Sequence, residues 1–292
     1  LTNNLTAWGL GSTTPTYSRT TIAYVQNNEG VLRAVFANEA RFWGARRVAN
    51  LSPFSQGFAN AGWLVNAATK TSTTASDPFG TSTALLLSED GAASTHYVQA
   101  PTTSLSLNNG ATFIVSCFFK AGTKSIVQLT VGGGLGILPY ANFDLTTGAV
   151  TASGGSIAAS GVIVAGGGWY RCWIRGVATA GPSTVSATVI CINSATDVRA
   201  VSFTGSASNN VQICGMMLED ATGQSVQTPG EYVSTGVLAL PYQGANVDGV
   251  QYFDTDKSGV SIPATTLLGY LSEAATTNQQ ADGTNFSGAG WA

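Results

Sequence analysis

Two tryptophans and two arginines alternate along Gly168–Arg175, which reads Gly-Trp-Tyr-Arg-Cys-Trp-Ile-Arg. Successive side chains of a strand point to opposite faces. Trp169, Arg171, Trp173 and Arg175 would therefore share one face, and Tyr170, Cys172 and Ile174 the other. Indole faces stack on the apolar faces of sugar rings, and a guanidinium offers fixed donors to hydroxyls and carboxylates. That pattern suits carbohydrate contact. A bare indole also forgoes burial worth roughly 2 kcal/mol or more, so the N-terminal arm or a neighbouring subunit competes with a glycan for the same face. The arm or a neighbouring subunit is the expected cover, because the arm offers no other evident place to bury Phe36 and Phe42.

The other residue types that could do chemistry are poorly placed for it. A nucleophilic triad needs a base beside a nucleophile, and the single histidine, His96, lies in the strand-like Thr-His-Tyr-Val-Gln. It is expected to be a partly buried structural residue. Cys117, Cys172, Cys191 and Cys214 show no C-x-x-C spacing and lie in apolar runs, which predicts buried free thiols rather than a zinc site. Asp254-Thr-Asp-Lys-Ser-Gly259 begins like an oxygen-rich calcium loop but lacks the later acidic ligand, so it reads as a solvated turn. Glu219-Asp220 is the one tight carboxylate pair near a sandwich edge, and such a pair after a strand is expected to face solvent. Gly132-Gly-Gly134 has neither the helix nor the lysine of a phosphate loop. No catalytic residue, metal or cofactor is expected, and no enzymatic turnover.

The chain of 292 residues is long enough for one large domain or two modest ones. Only 9% of it is charged, against roughly 25% in typical soluble domains. Glycine (35 residues) and many Thr, Ser, Ala and Asn fill the deficit, the composition of a turn-dense β protein solvated by hydroxyls and amides. A net charge of −3 gives no electrostatic case for nucleic acid, and no apolar run approaches the ~18 residues of a membrane span.

The elements that must position the Trp/Arg strand are themselves strands. Between Leu51 and Leu218, strand-length runs alternate with Gly, Ser, Thr and Asn turns. They are Ala84–Leu87, His96–Gln99, Thr112–Phe119, Ser125–Val131, Tyr140–Asp144, Val150–Ala152, Ile157–Val164, Trp169–Arg175, Val185–Ile192, Ala200–Thr204 and Val211–Leu218. Thr112–Lys120 is apolar on both faces, as a central strand covered on both sides would be. This spacing predicts an all-β fold, an antiparallel jelly-roll-like β-sandwich flanked by strand-rich connecting modules. The division expected is 1–50 as an N-terminal arm, 51–228 as the sandwich, and 229–292 as a C-terminal connecting module. The arm holds two strand-like pieces, Thr21–Val25 and Val31–Val35, joined by a turn ending at Gly30.

One repeat is visible. Phe58-Ala-Asn-Ala-Gly-Trp63 recurs as Phe286-Ser-Gly-Ala-Gly-Trp291, an offset of 228 residues, and Asn50 matches Asn278 at the same offset. Upstream, Tyr24…Gly30-Val31 resembles Tyr252…Gly259-Val260 with a slip of about one residue. Two copies of one lead-in module are expected, with the natural chain continuing past Ala292.

Tyr17–Arg33, Ala37–Phe42 and the Asn50–Trp63 segment resemble lead-in modules of tailed-bacteriophage virion proteins. Tyr140-Ala-Asn-Phe-Asp-Leu-Thr-Thr-Gly and Gly168-Trp-Tyr-Arg-Cys resemble the inner signatures of that family's sandwich. Glu231–Leu238, Asp248–Asp254 and Leu268–Asn278 resemble the segment that follows it. The resemblance implies a lectin-like, carbohydrate-binding-module-like sandwich in a non-enzymatic virion structural protein of the tail-fibre, tailspike or adhesin type. It also implies a homo-oligomer, a trimer by analogy, with other virion proteins and host surface polysaccharide as partners. A capsid decoration or head-fibre protein, or the non-catalytic part of a polysaccharide depolymerase, are the alternatives. Relatives often carry Gly-x-Gln-Leu-Glu at the last strand; this chain has Gly215-Met-Met-Leu-Glu219, which removes a polar group at Met217.

Overall fold

The computed structural model describes residues 4–5, 19–103, 106–236 and 247–270. The second copy of the repeated motif, Phe286–Trp291, lies outside the described residues, as does Asn278. Two six-stranded antiparallel sheets face each other. The front sheet runs Ala159–Gly166, Trp169–Val177, Thr112–Ala121, Asn210–Asp220, Leu85–Glu89 and Ala68–Ser72. The back sheet runs Ala149–Gly154, Tyr140–Asp144, Ile126–Gly133, Val185–Cys191, His96–Gln99 and Leu64–Asn66. This is the antiparallel β-sandwich expected from the strand spacing, and no helix is present among the described residues.

Alternation explains the packing. Val127, Leu129 and Val131 of one back strand, with Val185, Ala187, Val189 and Cys191 of its neighbour, point inward to meet Phe113, Val115, Cys117 and Phe119 from the front sheet. Full burial of each large apolar side chain contributes roughly 1.5–3 kcal/mol. Thr112–Ala121 is central, paired on both edges, and its first eight residues are buried on both faces. Phe58 and Trp63 close one end of this core, their rings stacked at 4.1 Å. Leu64–Asn66 and Ala68–Ser72 were not expected as strands; Ala67 sits between them at φ 47° and lets the chain pass from the back sheet to the front.

The flanking segments meet each other. Arg46–Ala49 pairs with Val250–Phe253, which in turn pairs with Asn4–Leu5. A second small core forms there from Val25, Val35, Ala40, Phe42, Ala45, Val250 and Tyr252. The arm therefore has a place of its own for Phe42, and Phe36 packs at its margin. That differs from the expectation that both would need the Trp/Arg strand.

The upstream repeat is visible as one turn built twice. Asn27 Oδ1 accepts from Glu29 and Val31 N–H, and Asp256 Oδ1 from Ser258 and Val260 N–H. Gly30 (φ 77°) and Gly259 (φ 83°) occupy the matching left-handed positions, which a residue without Cβ reaches at no steric cost. The Asp254–Gly259 stretch is thus a turn closed by its own amides, as expected.

All four cysteines are buried and unbridged. Burial pushes the Cys191 thiol up to about 12 and raises the other three as well, so none carries reactive thiolate at neutral pH. A thiol-specific chromogenic reagent is expected to react with none in the native protein and with four after denaturation without reductant. Two or fewer after denaturation would show disulfides.

Candidate functional site

Strand alternation places Trp169, Arg171, Trp173 and Arg175 together on the outer face of the front sheet, with Cys172 and Ile174 in the core and Tyr170 packed against it. The face is covered from within the chain. Residues 227–235, after leaving the sandwich, run back across it, joined by the loop around Ser76–Phe79. Trp169 is 2% exposed, packs with Ala84, Phe118 and Cys214, and donates Nε1–H to Ser76 O at 3.1 Å. Phe79 and Tyr232 stack at 4.5 Å above Phe118, and the Tyr232 hydroxyl meets Ser55 Oγ at 2.8 Å.

Arg171 is the centre of this cover. Its guanidinium donates to Ser116 Oγ (3.1 Å), Gly230 O (2.5 Å) and Met217 Sδ (3.3 Å), and lies 3.9 Å from Glu219 Oε2. Desolvation lowers its pKa, and Glu219 pulls the other way. Glu219 accepts the Gly230 amide at 3.0 Å and is buried, which raises its carboxyl above the ordinary 4.5 despite Arg171. The expectation that Glu219 and Asp220 both face solvent fails for Glu219: the last strand runs on through Asp220, and alternation turns Glu219 under the returning segment. Arg175 is half-buried, with Nη1 on Gln227 O at 3.3 Å. The Met217 side chain is fully buried beside Val48, Val233 and Phe253.

Trp173 is half-buried and lies against Gly161 on the neighbouring strand, where a side-chain methyl at position 161 would come within 2.8 Å of its ring. The missing side chain at Gly161 makes room for the indole. Trp173→Ala is expected to cost about 1–2 kcal/mol, below the roughly 3–5 kcal/mol of a fully buried aromatic. A calorimetric melting scan checks it; an unchanged melting temperature would show the ring contributes nothing there.

The His96 ring is fully buried, between Ala67 O (Nδ1, 2.5 Å) and Phe203 O (Nε2, 3.1 Å). No nucleophile faces it in those contacts, and its role is to tie the strand crossover to Phe203. The tightly placed carboxylates are likewise structural: Asp77 accepts from the amides of Phe79, Thr81 and Thr83 and from two of their hydroxyls. No cluster of three metal-ligating groups occurs among the described residues.

The outer face of the back sheet is polar, which sequence reading did not single out. Register aligns Tyr140, Thr130, Thr188, Gln99 and Leu64 in one row, and Asn142, Gln128, Ile190, Tyr97 and Asn66 in the next. The loop 193–200 folds over one end of this face. Asn142 donates to Ala195 O and Asp197 O, Gln128 holds Val198 O and the Ala200 amide, and Arg199 donates to Thr130 Oγ1 and Val131 O. Tyr97, Gln99 and Tyr140 of the sheet and Arg199 of the loop stay half-exposed. Two phenol rings and an amide on a rigid sheet, with a guanidinium from the loop over it, can stack on and hydrogen-bond a polyhydroxylated ligand. The detectable signal was the alternation of polar with apolar residues in Ser186–Val189 and Val127–Val131.

No protein-family model matches the sequence, and no curated protein does. Among solved structures, the enzymatically active domain of tailspike protein 4 of bacteriophage CBA120 is similar over 59% of this chain and 21% of its own, at 12% identity and TM-score 0.34. The CBM22-1 and GH10 modules of Clostridium thermocellum endo-1,4-β-D-xylanase 10B, complexed with xylohexaose, are similar over 63% of this chain and 29% of theirs, at 15% identity and TM-score 0.32. A mannan-recognising carbohydrate-binding module, TmCBM27, is similar over 60% of this chain and 96% of its own, at 12% identity and TM-score 0.29. The chain thus spans less than a third of the first two of these structures.

Proposed function

We propose that this chain is a non-enzymatic structural component of a tailed-phage virion, of the tail-fibre, tailspike or adhesin type. It assembles with copies of itself, as a trimer, and with other virion proteins on the particle, and contacts host surface polysaccharide through the half-exposed face of its back sheet. The resemblance carried by Tyr17–Phe42, Asn50–Trp63 and Gly168–Cys172 supports the virion assignment. The observation that carries the assembly reading is the arm's hairpin, Ala23–Gln26 paired with Leu32–Val35. Its inner residues Val25 and Val35 are buried, while its outer face leaves Ile22, Tyr24 and Leu32 exposed at 61%, 60% and 63%. Large apolar groups grouped on a monomer's surface mark an interaction site.

The buried charges support a structural rather than catalytic role. Arg46, Arg47, Arg171 and Lys124 are each engaged by a carboxylate of the fold. Sedimentation of the chain is expected to show an oligomer that the double substitution Tyr24→Ser, Leu32→Ser dissociates. A well-folded monomer at micromolar concentration would sink the assembly reading. Incubation with host surface polysaccharide is expected to give binding, reduced by Tyr97→Ala, without release of reducing ends. Release of reducing ends would overturn the non-enzymatic assignment, and labelled electron microscopy of the particle tests the location.

A further inference from the structure

A cavity of about 520 Å³ opens where the hairpin of the arm meets the end of the sandwich, within the roughly 300–1,000 Å³ typical of small-molecule sites. Arg33 comes from the hairpin, Leu107 and Asn108 from a sandwich loop, Glu219 and Asp220 from the last strand, and Gln224 from the turn after it. Most polar groups of this seam are occupied by one another: Glu29 accepts from Ser225, Arg47 is held by Glu39, and Lys257 donates to Val226 O and Thr228 O.

Two are not. Arg33 Nη2 and Gln224 Oε1 are both removed from solvent with no hydrogen-bond partner. The nearest carboxylate to Arg33, Asp220 Oδ2, is 3.8 Å from Nη1, beyond hydrogen-bond length. A buried donor and a buried acceptor left unmade cost about 1–3 kcal/mol each, so a wall that holds both is complementary to a molecule supplying an acceptor and a donor. A hydroxyl group supplies either. The lining sets Arg33, Arg46, Arg47 and Lys257 against Glu29, Glu219, Asp220 and Asp256, a balance of charge that favours neither a cation nor an anion, while Val48, Leu51 and Leu107 provide an apolar floor.

We propose that this seam is a second binding site, for a short neutral saccharide of one or two residues, held by Arg33 and Gln224. It shares with the proposed function only the class of ligand. Its place is distinct from the back-sheet face, and ligand bound there would bridge the arm to the sandwich. Binding would therefore tighten the joint between assembly module and adhesive module.

The test is isothermal titration and thermal melting of the full chain with glucose, galactose, mannose, rhamnose, N-acetylglucosamine, maltose and lactose, with sodium phosphate and acetate as anion probes. At least one saccharide is expected to bind with a Kd of about 1 mM or tighter and to raise the melting temperature. Arg33→Gln and Gln224→Met are each expected to weaken that binding about tenfold or more, while Tyr97→Ala leaves it unchanged. Should Arg33→Gln fail to fold, Gln224→Met decides alone. No binding by any of the saccharides overturns the site, and so does binding indifferent to Arg33 and Gln224. Saccharide binding lost only with Tyr97→Ala overturns the seam site and leaves the back-sheet reading standing. Phosphate or acetate bound through Arg33 overturns the neutral ligand class.

Discussion

Arg171→Met is expected to lower the unfolding free energy by about 3–5 kcal/mol, the usual cost of breaking a buried ion pair from one side. The guanidinium neutralises Glu219 and satisfies Gly230 O and Ser116 Oγ. Methionine fills much of the same volume but leaves the buried carboxylate without its cation and the Gly230 carbonyl without its donor. Glu219→Gln is expected to be mild by comparison, because the amide oxygen still accepts the Gly230 N–H. The double substitution Arg171→Met, Glu219→Gln should recover most of the loss, since it removes both charges. The pH dependence follows from the same pair. Burial raises Glu219 above its ordinary 4.5 despite Arg171, so the folded state binds that proton more tightly than the unfolded chain. Its contribution to stability is complete below 4.5 and lost as pH rises through the raised value. Glu231 runs the other way: burial would raise it, but the Arg46 fork outweighs that and holds it below 4.5. Its contribution is present above 4.5 and lost as pH falls through the lowered value. Denaturant midpoints of the parent and Glu219→Gln should therefore diverge in the parent's disfavour as pH rises from 4.5. Equal midpoints at every pH, or a double variant no better than Arg171→Met, would overturn this account.

The strands were legible because their periodicity is local. His96–Gln99 and Tyr140–Asp144 match the expected bounds, and Thr112–Ala121, Trp169–Val177 and Asn210–Asp220 extend them by one or two residues at an end. Ala200–Thr204 shrinks to Phe203–Thr204 because its first residues belong to the loop over the back sheet, where the Ala200 amide is held by Gln128. The grouping of Trp169, Arg171, Trp173 and Arg175 on one face was also local and is observed. What covers that face was not. Pro229–Val233 has no strand periodicity, and its fit over Arg171 depends on a backbone carbonyl, Gly230 O, which carries no residue-type signal. The same holds for Asn50, whose side chain donates to Met216 O and Val233 O and accepts from Leu218 N–H and Ser52 N–H. Only its place in the repeat hinted that this one amide joins the arm, the last strand and the returning segment.

Glu39→Ala is expected to cost about as much as Arg171→Met, about 3–5 kcal/mol, and to act on the joint rather than the sandwich. Glu39 is fully buried among four donors: Arg47 Nε (2.7 Å) and Nη2 (2.8 Å), the Tyr252 hydroxyl (2.6 Å) and the Phe36 amide (2.8 Å). Burial by itself would lower Arg47, yet the fork to Glu39 dominates and raises it, while burial holds Tyr252 well above its ordinary range. Arg47 is therefore a fixed cation and Tyr252 a fixed donor at any pH where the fold exists, and alanine at position 39 strands both. Arg47 lies in Arg46–Ala49 and Tyr252 in Val250–Phe253, so the carboxylate pins a pairing that joins the two flanking segments. Its loss should free that pairing while the sandwich core, which shares no residue with the arm's core, stays intact. Amide exchange followed by mass spectrometry should show faster exchange across 23–49 and 247–262 with little change in 112–131 and 185–220. Tyr252→Phe, which keeps the ring and the ion pair but loses one hydrogen bond, is expected to show the same pattern at about 1–2 kcal/mol. Uniform exchange across arm and sandwich would show that the two melt as one unit and that Glu39 does not act on the joint.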